Sequence, residues 1–295
     1  MRCVDYNIRY NWRMNRLLST TDHSRDSAAL TYVYPVVSRR SGGVSVGINL
    51  NVDNACNWRC IYCQVPGLQR GSAPSADLPL LGKELRGFLE QVLHGDFMNT
   101  QVPPEARRLN DIALSGNGEP TSAPNFAAVV ELIGEIMAEF ELIGKIKLVL
   151  ITNGSLMHRP EVQAGLRSMA PLGGEVWFKL DRATAQGMAE INDTRQTPEK
   201  VREHLRIAAG LCPAWLQTCV FALDGKPPGD AEIAAYLEFV GSLEEAGIRI
   251  EGVMLYGLAR PPLQTEAARL SAVEPAWLKN FAAAIRARGV KVRPS

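Results

Sequence analysis

Two hydrophobic patterns alternate along the chain from residue 44 onward. Val44, Val46 and Ile48 alternate with polar or small residues, which is the two-residue period of a strand over residues 44–51. Similar strand patterns occupy residues 111–115, 146–152, 175–181, 215–222 and 248–256. Helical spacing of apolar residues marks residues 82–93, 126–142, 201–209, 231–246 and 277–288, and Pro160 suits the first turn of another helix. The alternation predicts six βα units, with a short closing strand at 290–293.

Six βα units fit either a partial (βα)6 barrel or a doubly wound sheet. No change in composition divides them, so we expect one domain at residues 34–295 after an irregular N-terminal extension at 1–33. In a barrel, alternate residues of each strand point into the interior. Here those residues are polar: Ser45, Asn49 and Asn51 in the first strand, and Lys179 and Asp181 in the fourth. We therefore predict an α/β fold, a partial (βα)6 TIM-like barrel whose interior binds a ligand.

Composition is compatible with a large, well-packed domain. The 295 residues are 46% hydrophobic and 21% charged, enough to bury a full core. The longest mainly apolar stretch, residues 129–151, is interrupted by four glutamates and two lysines, and no apolar signal segment opens the chain. We expect a soluble, cytoplasmic protein with no membrane partner.

The N-terminal extension combines arginines with aromatic residues, and two interpretations of the aromatic residues stay open. The net charge is only +1, but seven arginines fall within the first 43 residues. Exposed aromatic and basic residues together are typical of single-stranded nucleic-acid binding, whereas buried aromatics would simply pack against the barrel. The residues concerned are Tyr6, Tyr10, Trp12, Tyr32 and Tyr34.

Three of the six cysteines lie within eight residues, directly after the first predicted strand. Cys56, Cys60 and Cys63 therefore belong to a loop at the carboxyl end of a strand, where βα barrels place their chemistry. Spacings of four and three residues allow three thiolates to surround one small iron–sulfur cluster and leave one iron open. A structural zinc site would need a fourth ligand, and the nearest histidine, His94, lies beyond a predicted helix. We predict a [4Fe–4S] cluster, with zinc binding and simple packing as the alternatives.

The motif Cys-x3-Cys-x2-Cys, with the aromatic Tyr62 before its last cysteine, resembles the signature of the radical S-adenosylmethionine (SAM) superfamily. The resemblance extends from about residue 44 to residue 256. It implies that SAM binds at the open iron and that reductive cleavage yields methionine and a 5′-deoxyadenosyl radical.

The same resemblance implies which residues contact SAM. Gly116, Asn117, Gly118 and Glu119 follow the second strand and are similar to the superfamily's Gly-Gly-Glu motif, which holds the SAM amino group. Asn153, Lys179 and Asp181 follow or end the third and fourth strands, where the superfamily contacts the SAM ribose and carboxylate. Met254 lies in the region 252–257, which is similar to the adenine-supporting strand, and Tyr62 belongs to the same expected SAM site.

The flanking segments 34–43, 48–51, 63–65 and 177–181 are similar to one branch, the Fe–S oxidoreductases related to the wybutosine-synthesising tRNA enzymes. Those enzymes use pyruvate, a second cluster and a Schiff-base lysine. The second cluster would need three more grouped thiolates, but only Cys3 precedes the triad, and Cys212 and Cys219 are seven residues apart. Lys179 could form a Schiff base, although its place beside Asp181 favours a charged, SAM-facing role.

The resemblance thus predicts a radical SAM enzyme that acts on a small-molecule, peptide or RNA substrate. It also implies an electron donor such as a flavodoxin or a ferredoxin. Two alternatives stay open: a tRNA base-modifying enzyme of the wybutosine type, and a non-catalytic Fe–S redox protein. An electron carrier would be expected to supply four cysteines rather than three.

Overall fold

The computed structural model describes residues 17–19, 30–38, 42–258 and 260–294. Its centre is one eight-stranded sheet. The strands are β1 Val33–Ser38, β2 Gly43–Ile48, β3 Leu109–Leu114, β4 Lys147–Thr152, β5 Gly174–Lys179, β6 Ala214–Val220, β7 Gly252–Gly257 and β8 Val292–Pro294. The helices are α1 Leu78–Leu93, α2 Phe97–Gln101, α3 Phe126–Glu139, α4 Pro160–Met169, α5 Ala185–Asn192, α6 Pro198–Leu211, α7 Asp230–Gly241 and α8 Pro275–Arg286.

Strand order separates the two predicted architectures. The eight strands lie side by side in the order of the chain, β1 pairs antiparallel with β2, and every later pair is parallel. A doubly wound sheet would reverse its strand order at a switch point. Right-handed crossovers that always advance in one direction instead place the helices on one face. The predicted partial (βα)6 barrel is confirmed.

The edge strand β1 was not predicted from the sequence. It includes Pro35, which cannot donate a ladder hydrogen bond and is tolerated on edge strands. The buried carboxylate of Glu84, on α1, accepts hydrogen bonds from the backbone amides of Thr31 and Tyr32, both at 2.8 Å, and of Val33 at 3.3 Å. This charge-assisted anchor fixes the point at which the chain enters the sheet.

The two faces of the sheet carry different residues. The outer face packs against the helices, and α3 buries Phe126, Val129 and Ile133 there, as its sequence spacing predicts. The inner face carries a separate apolar cluster, which consists of Ala113, Val149, Trp177, Trp215 and Met254 from five neighbouring strands. Side chains of these five strands therefore fill part of the inner face.

The aromatic residues of the N-terminal region are described only in part. Tyr32 and Tyr34 are buried, and the Tyr32 hydroxyl accepts a hydrogen bond of 2.9 Å from the Asp77 amide. Tyr32 therefore packs against the barrel, whereas Tyr34 belongs to the barrel strand β1. Tyr6, Tyr10 and Trp12, with most of the predicted extension, lie outside the described residues. Among the helices in the described ranges, none is long and apolar enough to cross a membrane.

Candidate functional site

A cavity of about 310 Å³ occupies the inner side of the sheet. Its wall includes the three clustered cysteines and residues from the carboxyl ends of β3, β4, β5 and β6. The predicted polar interior is therefore a cavity, to which Ser45 and Lys179 contribute directly. Asn49 and Asn51 are buried and hold neighbouring loops instead.

The cysteine loop follows β2 and is fixed by its own short-range hydrogen bonds. The Asn51 side chain donates to the carbonyl of Ala55 at 2.7 Å, and the Ala55 amide donates to Asp53 at 3.1 Å. Residues Ala55–Cys56 then pair with Gln69–Arg70, which closes the loop. These contacts bring Cys56, Cys60 and Cys63 to the cavity wall, as predicted.

The donor set fits an iron–sulfur cluster. Burial, with a smaller contribution from repulsion by Cys63, raises the pKa of Cys56 to about 11 and that of Cys60 to about 12, so the three thiols interact electrostatically. Binding to a metal would draw off these protons. Across the described ranges, no three His, Cys, Asp or Glu side chains could hold a single metal ion. A cluster needs a different arrangement, because each thiolate binds a separate iron.

The turn after β3 brings backbone close to the cysteine loop. A Cβ atom on Gly118 would lie 2.1 Å from the carbonyl oxygen of Ala55, so only glycine fits there. The amide of Asn117 donates to the side chain of Asn49 at 3.0 Å. The Asn117 Oδ1 atom is buried at the cavity wall and has no hydrogen-bond partner among the described residues. This unpaired acceptor suits a ligand that carries an N–H group.

Glu119 lines the cavity but already has protein partners. Its carboxylate accepts hydrogen bonds from the hydroxyls of Thr121 and Thr152 and from the Asn153 amide, each at 2.6 Å. Burial raises the pKa of Glu119, and these donors oppose the increase. Asn153 also lines the cavity and donates to Asn57 at 2.8 Å. Glu119 therefore joins the ends of β3 and β4.

A charged network lies at the end of β5, the strand next to β4. The Lys179 ammonium donates to the Tyr62 hydroxyl at 2.7 Å, and that hydroxyl donates to Asp181 at 2.5 Å. Burial alone would lower the pKa of Lys179, but interactions with Tyr256, Asp181, Cys60 and Cys219 together outweigh burial and raise it. Lys179 is therefore held as a cation at the cavity wall.

Two residues with predicted SAM contacts lie outside the cavity lining of the described chain. Asp181 is buried behind Tyr62, and its carboxylate also accepts hydrogen bonds from the Asn192 side chain at 2.8 Å and the Cys219 amide at 2.9 Å. Met254 belongs to the inner apolar cluster, and Tyr256, two residues further along β7, lines the cavity instead. Contacts between these two residues and SAM stay predictions.

Sequence reasoning missed several other cavity residues. Most have inward-facing positions on strands, where strand alternation is the signal that could have found them, while Trp58 lies in the cysteine loop and Arg260 in the segment after β7. The missed residues are Tyr34, Trp58, Trp177, Gln217, Cys219, Tyr256 and Arg260.

Known protein sequences match only part of the chain, and no family model matches it. Over 132 residues, or 45% of the chain, it is 26% identical to the GTPase Obg of Brachyspira hyodysenteriae, of which it covers 17%. A 161-residue segment, 54% of the chain, is 26% identical to a UPF0026 protein of Helicobacter pylori strain 26695, with 44% of that protein covered. Over 167 residues, also 54% of the chain, it is 30% identical to the UPF0026 protein slr1464 of Synechocystis, with 52% of that protein covered. The chain thus spans about half or less of these relatives.

Solved structures match most of the chain. TYW1 with a lysine–pyruvate adduct bound is 13% identical, with a TM-score of 0.54, over 84% of this chain and 74% of that one. A radical SAM methyltransferase from Sphaerobacter thermophilus is 17% identical, with a TM-score of 0.53, over 86% of this chain and 67% of that one. The chain has the fold of these proteins, as the resemblance implies.

Proposed function

We propose that this protein is a radical SAM enzyme that binds a [4Fe–4S] cluster through Cys56, Cys60 and Cys63. The observation that carries the proposal is the sharing of one cavity wall by these cysteines and by the strand-end residues Glu119, Asn153 and Lys179. A cysteine triad alone is compatible with several metal sites. Its meeting with polar residues at the ends of β3, β4 and β5 favours a cofactor with several different polar groups.

The cavity offers complementary groups for SAM. When bound, the cluster and SAM supply a one-electron cleavage that gives methionine and a 5′-deoxyadenosyl radical. The unpaired Asn117 Oδ1 can accept a hydrogen bond from the SAM amino group, and cationic Lys179 can bind the SAM carboxylate. Glu119 and Asn153 join the β3 and β4 ends of the site, and Asp181 holds Tyr62 beside Lys179.

A tRNA base-modifying enzyme of the wybutosine type is the second candidate. The likeness to TYW1 concerns the fold, and the raised pKa of Lys179 opposes Schiff-base formation, because a neutral amine is the nucleophile. Cys219 lines the cavity, whereas Cys212 is outside the cavity lining of the described residues. These two cysteines therefore give little support to a second cluster. The substrate we propose is a small molecule, a peptide or an RNA base.

A non-catalytic redox protein would have no use for the polar cavity beside the cysteines. We propose instead that a flavodoxin or a ferredoxin supplies the electron and that the protein works in the cytoplasm.

SAM cleavage tests the proposal directly. The protein is reconstituted with iron and sulfide without oxygen, reduced with dithionite and incubated with SAM, and 5′-deoxyadenosine is measured by liquid chromatography. We expect 5′-deoxyadenosine from the wild-type protein and from Cys212→Ala, and none from Cys63→Ala. An iron-loaded wild-type protein that forms no 5′-deoxyadenosine would favour the redox-protein alternative.

A further inference from the structure

Asn192 is a buried residue that contacts one of the three clustered cysteines. It is the last residue of α5 and is 1% exposed. Its Nδ2 atom lies 3.2 Å from the Sγ atom of Cys60 and 2.8 Å from the Oδ2 atom of Asp181. One side-chain amide therefore bridges a cysteine sulfur and a buried carboxylate.

The carboxylate of Asp181 fixes the orientation of this amide. An asparagine amide has two N–H donors on nitrogen, while its oxygen only accepts. The opposite orientation would place the amide oxygen against the carboxylate of Asp181, where two acceptors repel each other. Asp181 itself is held by the Tyr62 hydroxyl and the Cys219 amide. One N–H of Asn192 is thus directed at Asp181, and the other is available to the sulfur.

The end of α5 is also bound to the backbone of the cysteine loop. The last carbonyls of a helix have no partner within the helix. Here the carbonyl of Ile191 accepts a hydrogen bond of 2.9 Å from the Ile61 amide, and that of Asn192 accepts one of 3.2 Å from the Arg59 amide. The loop therefore satisfies the helix end, and this contact sets the distance between Asn192 and Cys60.

The N-terminal end of α5 is also held by hydrogen bonds. Thr184 caps the helix by accepting from the Gly187 amide at 2.9 Å. The carboxylate of Glu232, on α7, accepts from the amide of Ala183 at 2.7 Å and from the Thr184 hydroxyl at 2.6 Å. With both ends held, α5 presents Asn192 at a defined position rather than at the end of a fraying helix.

We infer that Asn192 is a positioning residue that donates an N–H···S hydrogen bond to Cys60 and thereby raises the reduction potential of the cluster; the inference rests on the proposed function. Hydrogen bonds to the sulfurs are one of the ways in which proteins tune such clusters. A reduced cluster carries one more negative charge than an oxidised one, so a donor at its ligand stabilises the reduced form more. Loss of the donor makes reduction harder.

The test compares midpoint potentials in reconstituted protein. Asn192→Leu has nearly the same size and no donor, and we expect a more negative midpoint in a redox titration followed by electron paramagnetic resonance (EPR). If the hydrogen bond favours reduction about tenfold, the midpoint falls by about 59 mV, since that is the value of a tenfold change for one electron. Asn125→Leu is the matched control, because within the described part of the chain the Asn125 side chain hydrogen-bonds only the Ala76 backbone. Its midpoint should equal the wild-type value.

A measurement on the wild-type protein covers the case in which Asn192→Leu fails to bind iron. Protein labelled with ¹⁵N-asparagine is reduced, and pulsed EPR is used to detect asparagine nitrogen coupled to the cluster. We expect such a coupling, and its absence would overturn the inference. Equal midpoints in wild type and Asn192→Leu would overturn it too, while the cluster itself would stand. A wild-type protein that binds no iron would instead overturn the proposed function and the inference together.

Discussion

Two walls of the site meet the cysteine loop, and they differ in whether backbone or side chains form them. The wall from β3 and β4 is shaped by backbone turns, in which Gly118 allows close contact with the loop and Glu119 joins the two strand ends. The wall from β5 and α5 is a network of side chains, in which Asp181 connects Tyr62 to Asn192 and so Lys179 to Cys60. One wall provides shape and hydrogen-bond acceptors, and the other provides charge beside the sulfur.

This difference indicates that substitutions in the two walls should change different properties of the protein. A backbone turn tolerates few substitutions where a glycine is sterically required, and the Glu119 carboxylate in this wall is already bound by Thr121, Thr152 and Asn153. A buried side-chain network is sensitive to the loss of any donor, because its low-dielectric surroundings strengthen each interaction. Changes to the first wall should therefore act mainly through stability, and changes to the second mainly through affinity and redox behaviour.

The largest expected effect is loss of the cluster. Cys56→Ala, Cys60→Ala and Cys63→Ala should each abolish the brown absorbance and the iron content of reconstituted protein, because each removes one of only three ligands. Cys212→Ala, at a buried position outside the cavity lining of the described chain, should retain iron. Iron loss in Cys212→Ala would indicate a second metal site.

The next effect separates the two walls by SAM affinity, measured by equilibrium dialysis against reconstituted protein. Lys179→Met should weaken binding about 10- to 100-fold, because a charged hydrogen bond contributes about 1.5–3 kcal/mol. Asn117→Ala should weaken it less, about 2- to 10-fold, because its hydrogen bond is uncharged on the protein side. Equal losses in both variants would contradict the division between a charged wall and a backbone wall.

Gly118→Ala tests the backbone wall through stability. Its new methyl group would overlap the Ala55 carbonyl, so the free energy of unfolding should fall by about 1–3 kcal/mol in urea denaturation. Gly210→Ala is the matched control, since among the described residues its added Cβ would meet nothing within 4 Å apart from its neighbours in the chain and the backbone of its own helix, and α6 favours alanine. A Gly118→Ala protein as stable as the wild type would show that the turn can move away from the loop.

A smaller, pH-dependent effect concerns His204, which supports the loop after β4. Its buried ring stacks on that of His158, with 5.2 Å between the centroids. Burial, with the charges of Lys200 and His158, lowers the pKa of His204, and Glu203 opposes the shift. The fold disfavours protonated His204, so its stabilising effect is complete above the unfolded pKa of about 6.5 and is lost as the pH falls through the folded pKa.

The measurement is urea unfolding between about pH 7 and about pH 5, the range around an ordinary histidine pKa. His204→Phe should lose less stability on acidification than the wild type, whereas exposed His94→Gln should follow the wild type. Identical pH slopes in wild type and His204→Phe would exclude His204 as the group responsible.

The strands and the cysteine loop of this site could be predicted from the sequence more fully than its side-chain network. The strand pattern predicted six parallel strands, and the spacing of Cys56, Cys60 and Cys63 predicted their meeting at the end of β2, because both are local signals. The short helix α5 was missed, since eight residues give little helical period. The role of Asn192 has no local sequence signal. Its partners Cys60 and Asp181 are 132 and 11 residues away, and only folding brings the three together.

The most direct test of a shared site for cluster and cofactor is the EPR spectrum of the reduced protein, with and without SAM. If SAM binds beside Cys56, Cys60 and Cys63, its addition should change the spectrum of the wild-type protein. In Lys179→Met the same change should need a higher SAM concentration. A wild-type spectrum that stays identical at saturating SAM would contradict the central claim that one cavity holds both the cluster and SAM.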